Sequence, residues 1–186
     1  VIAVRARAAV TVSPEGDPPE VVQAPTFGAG VLIGDGLAIT TLHTVGLAVP
    51  GKVTAWSDIE ALPQDSAPVP ARIVGWFPEL DLAVLRLSGT PSTPAVALAP
   101  EGPIAGEPLV AMGVDDEAVV VVGVTVAAVK GDQLVLVSPR SVDSRYWGGP
   151  VFDIHGRLAG ITVPSATPKA VSSAAIAAML ERARRQ

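Results

Sequence analysis

Few residues in this chain could carry chemistry. There are two histidines and no cysteine among 186 residues. His43 lies in Thr40-Thr41-Leu42-His43-Thr44-Val45, and His155 in the turn-like Asp153-Ile154-His155-Gly156. Asp81 stands in Leu80-Asp81-Leu82-Ala83-Val84-Leu85, and the hydroxyls of Ser141 and Ser144 precede Arg145-Tyr146-Trp147-Gly148-Gly149-Pro150. An imidazole, a carboxylate and a hydroxyl are the parts of nucleophilic acyl transfer. Each stretch alone is unspecific. A run such as Asp-Leu-Ala-Val-Leu is a common buried strand, and Gly-Gly-Pro is a common turn. Without cysteine there is no thiolate chemistry, disulfide or Cys-ligated zinc. His43 with Asp81 makes a sparse metal shell, since Zn²⁺ usually takes three protein ligands or more. A structural metal site using His43 therefore stays a minor alternative, and no cofactor is expected.

The elements that must position these residues are strands. Gly and Pro number 18 each, which speaks against a helical bundle, whereas 49% hydrophobic residues speak against disorder. Strand-like runs recur at Ala6–Val12, Phe27–Ile33, Leu37–Thr41, Lys52–Ser57, Ala71–Trp76 and Leu82–Leu87. They recur again at Pro108–Met112, Val119–Val129, Gln133–Val137, Pro150–Asp153 and Leu158–Val163. Gly34-Asp35-Gly36 is a hairpin turn, and Ser13–Pro19 and Leu62–Pro70 read as loops. Many short strands at close spacing predict an all-β barrel protein. Residues 174–185 contain no Gly or Pro, and Ile176, Met179 and Leu180 share one helical face. A C-terminal helix capped by Ser173 is predicted there, with Arg182, Arg184 and Arg185 in its last turn. The expected division is residues 1–98, 99–173 and 174–186.

A net charge of −5 and the lack of a basic stripe argue against a nucleic-acid partner. The longest apolar uncharged run, Ala118–Val129, is too short for a membrane span of about 20 residues. A start at Val1 suggests a processed form or an excised domain.

Taken in order, three stretches resemble trypsin-fold serine peptidases, most closely the bacterial HtrA/Deg-like group. They are Phe27–Ile33 with Ala38–Val45, Leu80–Leu87, and Tyr146–Asp153 with Gly156–Thr162. The resemblance covers roughly residues 10–175. It implies two six-stranded antiparallel barrels with the C-terminal helix, and a cleft between the barrels. It implies that His43 is the general base and that Asp81 orients it. It also implies export to the periplasm or cell envelope, and leaves the oligomeric state open.

The resemblance fails where the nucleophile belongs. Trp147 directly precedes Gly148-Gly149-Pro150, where the family has serine. An indole offers one N–H donor and no nucleophilic oxygen. Arg145 falls where the family has the oxyanion-hole glycine, so Arg145, Tyr146 and Gly148 form a degenerate loop. Ser144, three residues upstream, could replace the nucleophile only if the loop coils, because three extended residues span about 10 Å. The expectation is an inactive homologue that binds an unidentified protein or peptide. Its cleft would be lined by Trp147, Tyr146, Ile161 and Thr162. Trp147 either plugs that cleft or anchors a partner. The alternatives are a peptidase using Ser144 and the metal domain already named. Trp56 and Trp76 read as packing residues, His155 as an exposed turn residue, and Asp115-Asp116-Glu117 as a solvated turn.

Overall fold

Alternation of side chains across the strand builds the architecture. In Gln133–Val137 the residues alternate between partial exposure and burial, with Leu134 and Leu136 inside. A computed structural model describes residues 1–12, 20–46, 53–64, 67–89, 93–115 and 118–184. The first barrel contains β1 (Ile2–Val12), β2 (Glu20–Gly34), β3 (Leu37–Thr41), β4 (Val53–Leu62), β5 (Val69–Phe77) and β6 (Leu82–Leu87). The second contains β7 (Pro108–Asp115), β8 (Ala118–Lys130), β9 (Gln133–Val137), β10 (Pro150–Phe152), β11 (Leu158–Val163) and β12 (Lys169–Ser172). The first closes in the order β1-β2-β3-β6-β5-β4, and the second in the order β10-β11-β12-β9-β8-β7. The second order, read backwards, is the same wiring. Closure leaves no free sheet edge in either barrel. The fold is the trypsin-like double barrel, all-β apart from one helix, α1 (Ser173–Ala183), and short 3-10 turns.

Each barrel has its own interior. Ile2, Val4, Leu32, Leu42, Ala83 and Leu85 fill the first; Leu109, Val122, Leu134, Leu136 and Val151 fill the second. A third cluster joins them. Val31, Ile39, Phe77 and Val84 of the first barrel meet Leu158, Ile161 and Val171 of the second, and Ile176, Met179 and Leu180 of α1 complete it. The helical face predicted from spacing thus seals the junction of the barrels.

Several boundaries differ from the sequence reading. β1 begins at Ile2, and β2 runs through Thr26 and Pro25 because β1 pairs with it along its whole length. β4 and β5 extend to Leu62 and Val69, leaving residues 63–68 as the connection. β12 has no counterpart among the strand-like runs of the sequence. It follows Pro168 and has only Ala170 and Val171 as apolar residues, yet it closes the barrel by pairing with β9 and β11. The helix cap is Ser172, not Ser173: Ser172 is extended and its Oγ accepts from the Ala175 N–H at 3.3 Å. Ser173 is instead buried in the first turn. The Ser13–Pro19 loop, Lys52, Arg185 and the Trp56 side chain lie outside the described residues. Trp76 is 41% exposed on β5.

Candidate active site

His43 is placed by the end of β3. There the Thr44 N–H donates to Thr41 Oγ at 3.2 Å, and the two threonine hydroxyls lie 2.8 Å apart. Side-chain hydrogen bonds of this kind turn a strand end without water. Asp81 ends the 3-10 turn Pro78–Leu80 in the left-handed region, at φ 53°, with its own N–H donating to the Pro78 carbonyl. The Leu42 N–H donates to the Asp81 carbonyl at 3.0 Å, so the two segments are locked together one residue from His43.

The side chains meet as the resemblance implied. His43 Nδ1 lies 2.8 Å from both carboxylate oxygens of Asp81. An ionised carboxylate only accepts, so Nδ1 is the donor, and a ring with its single proton there has Nε2 as an acceptor. Burial raises the Asp81 carboxyl above the ordinary carboxylate range, and the His43 hydrogen bond opposes that rise. Among the described residues no three His, Asp or Glu side chains gather where they could hold a metal ion.

The second barrel supplies a different kind of structure. The 3-10 turn Ser144–Tyr146 begins at Asp143, whose carboxylate caps the Arg145 N–H at 3.1 Å. The same carboxylate takes Arg145 Nε at 2.9 Å and Nη2 at 2.8 Å, while Nη1 reaches Asp115 at 3.0 Å. Arg145 holds the Asp143 carboxyl below its usual range, mainly through the side-chain hydrogen bond. The two carboxylates in turn raise the guanidinium further above its ordinary value. The Tyr146 N–H donates to the Asp143 carbonyl, Trp147 N–H to Ser144, Gly148 N–H to Thr162, and Gly149 N–H to Tyr146. Every amide from Arg145 to Gly149 is therefore already bonded inside the protein. The loop is tied across the junction as well, since the Ala29 N–H donates to the Trp147 carbonyl at 3.1 Å.

A cleft of about 370 Å³ opens beside these groups. Its walls include Phe27, Gly28, His43, Val114, Asp115, Ser144, Arg145 and Trp147. The Trp147 indole stands edge-on to His43, with ring centroids 6.2 Å apart and planes at 71°. Of the four side chains expected to line a cleft, only Trp147 does so. Tyr146 is buried in the second barrel, Ile161 in the junction core, and Thr162 bonds to the carbonyls of Tyr146 and Gly149. β11 is buried at all six positions, so neither of its faces reaches the cleft, and Tyr146 leaves the 3-10 turn toward the second barrel's core. Asp115, expected to be merely solvated, instead pairs with Arg145. Sequence reasoning missed Asp143. Its signal was an Asp two residues before a loop Arg, the pattern of an Asx turn. His155 is exposed in its turn.

The profile of the trypsin-like peptidase domain matches residues 28–161. No curated protein matches the chain. Among solved structures, Rv3671c from M. tuberculosis H37Rv, as a serine-to-alanine mutant in its inactive form, aligns over 99% of this chain and 87% of its own, with TM-score 0.71 and 18% identity. The Rv3671c protease in its inactive form aligns over 97% and 87%, with TM-score 0.69 and 18% identity. The serine endoprotease from Yersinia pestis aligns over 98% of this chain, with TM-score 0.72 and 21% identity, but this chain spans only 63% of it. At these identities the likeness is one of fold. The profile match covers most of the chain, and with both barrels it identifies the chain as a member of the trypsin-like peptidase domain family.

Proposed function

We propose that this domain is a catalytically inactive member of its family that binds a protein or peptide segment in the cleft beside His43. The observation that carries this reading is Trp147, an indole packed edge-on against His43 at the position where the resemblance expects serine. Two further features support it. The amides of Arg145 and Trp147, which would flank a developing oxyanion, donate instead to Asp143 and Ser144. The His43–Asp81 pair keeps Nε2 available as a hydrogen-bond acceptor toward a bound chain. Peptide binding without turnover is what remains when a cleft keeps its shape and loses its nucleophile. The HtrA/Deg-like character of the sequence motifs extends the proposal to the bacterial periplasm or cell envelope.

The competing reading is a peptidase that uses Ser144, and it is favoured by one fact: Ser144 and His43 line the same cleft. A fluorophosphonate probe separates the two. The purified protein is expected to remain unlabelled by mass spectrometry under conditions that label an active serine peptidase. An adduct on Ser144, lost in His43→Ala, would overturn inactivity.

A further inference from the structure

The cleft has a chemical character that goes beyond its being a peptide site. Its wall carries aromatic rings: Phe27, a large side chain left 44% exposed, then His43 and Trp147. Val114 and Gly28 supply apolar wall between the polar groups. The charges around it are unbalanced. Asp115 and Asp143 both hold a single guanidinium, Arg145, while Asp81 is bonded to His43. That guanidinium is held by Asp143 through two N–H groups and by Asp115 through one. Arg145 engages only Oδ2 of Asp115, which is half exposed at the cleft wall.

Aromatic faces and a carboxylate around one cavity favour an organic cation. We infer that the cleft walled by Phe27 and Trp147 receives a basic side chain, arginine or lysine, from a partner polypeptide. This rests on the reading of the domain as a binding module. The basic group would lie against the rings and reach the open oxygen of Asp115, while the aliphatic stem packs on Val114. An acidic side chain would meet the half-exposed Asp115 carboxylate and a guanidinium already held by two carboxylates. A purely apolar one would leave the Asp115 oxygen with a poorer partner than water. A cavity of about 370 Å³ is within the range that holds a small ligand or one long side chain.

The test uses four short capped peptides, Ala-Ala-Xaa-Ala-Ala, with arginine, citrulline, leucine or glutamate at Xaa. Binding is followed by NMR on isotope-labelled protein, reading the Trp147 indole N–H and the Phe27 and Asp115 amides. The arginine peptide is expected to bind about tenfold more tightly than the isosteric citrulline peptide, and the glutamate peptide to bind least. Asp115→Asn should bring arginine and citrulline within about twofold, and roughly 0.5 M salt should narrow the same gap. Phe27→Ala and Trp147→Ala should each weaken the arginine peptide. If citrulline or leucine binds as tightly as arginine and shifts the same signals, the basic occupant is wrong and the binding cleft stands. If no peptide moves these signals at millimolar concentration, both fail. If arginine is preferred and Ser144 is also labelled by fluorophosphonate, only the claim of inactivity fails.

Discussion

The two barrels contribute unequal halves to one cleft. The first keeps a complete corner: His43 and Asp81 bond to each other, and the backbone at Leu42 and Asp81 locks their segments. The second presents a loop whose amides, from Arg145 to Gly149, are all turned to internal acceptors. The difference lies in what each part needs in order to be stable. A partly buried carboxylate must have a donor, and His43 supplies it whether or not a nucleophile is present. An oxyanion site is the reverse case: its amides must be left without protein partners, which costs stability. The 3-10 turn seen here, with its Asp143 cap and Arg145 clamp, gives each of those amides a protein acceptor instead. The orienting pair can persist without catalysis, but an open oxyanion loop has no such support.

Breaking the loop at its tightest packing should have the largest effect. A Cβ at Gly149 would run into the Met112 carbonyl oxygen, and one at Gly148, where φ is 81°, into that of Ala29. Gly149→Ala is expected to destabilise the protein by roughly 3 kcal/mol or more, measured by urea unfolding. A change below about 1 kcal/mol would mean that the loop yields easily and that its closed form is not enforced by packing.

The next test asks whether chemistry returns with the hydroxyl alone. Trp147→Ser is expected to leave casein hydrolysis at background. One missing oxyanion donor costs about 10²–10³ in rate, and here the Arg145 and Trp147 amides are both engaged. Turnover by this single variant would show that the loop opens when substrate binds, and the contrast between the barrels would shrink to one side chain.

The smallest effect is electrostatic, and it has opposite sign in the two halves. Burial raises Asp81, so its folded state binds a proton more tightly than the unfolded chain does. Its contribution is present at acid pH and is lost as pH rises through the window above the ordinary carboxylate value. Asp143 is lowered by Arg145, so its contribution is present above the ordinary value and is lost as pH falls through the folded value. The stability difference between wild type and Asp81→Asn should therefore shrink as pH rises from 3 to 7, while that for Asp143→Asn should grow. Denaturant melts at several pH values read both slopes. Parallel slopes would show that the two carboxylates sit in equivalent surroundings, contrary to the geometry.

The strands were legible because alternation and turn residues are local signals. Leu37–Thr41, Leu82–Leu87, Gln133–Val137 and Leu158–Val163 are read to the residue. β12 was illegible because Lys169-Ala170-Val171-Ser172 is too short and too polar to show a period; its partners β9 and β11 make it a strand. The pairing of His43 with Asp81 was legible only through the order of the motifs. Neither residue signals the other across 38 positions of chain.

By itself the sequence determined that the chain forms barrels of Val-rich strands, that the C-terminal face of Ile176, Met179 and Leu180 is apolar, and that an indole precedes Gly148-Gly149-Pro150. Those are properties of residue type and short period. Only the tertiary structure decided that Tyr146, Ile161 and Thr162 point into the interior and that Asp115 reaches Arg145 from the end of β7. It also decided that no loop amide is left for an oxyanion. These depend on strand register and on which distant acceptors the closed barrels bring within 3 Å or so, and no local pattern encodes such long-range geometry.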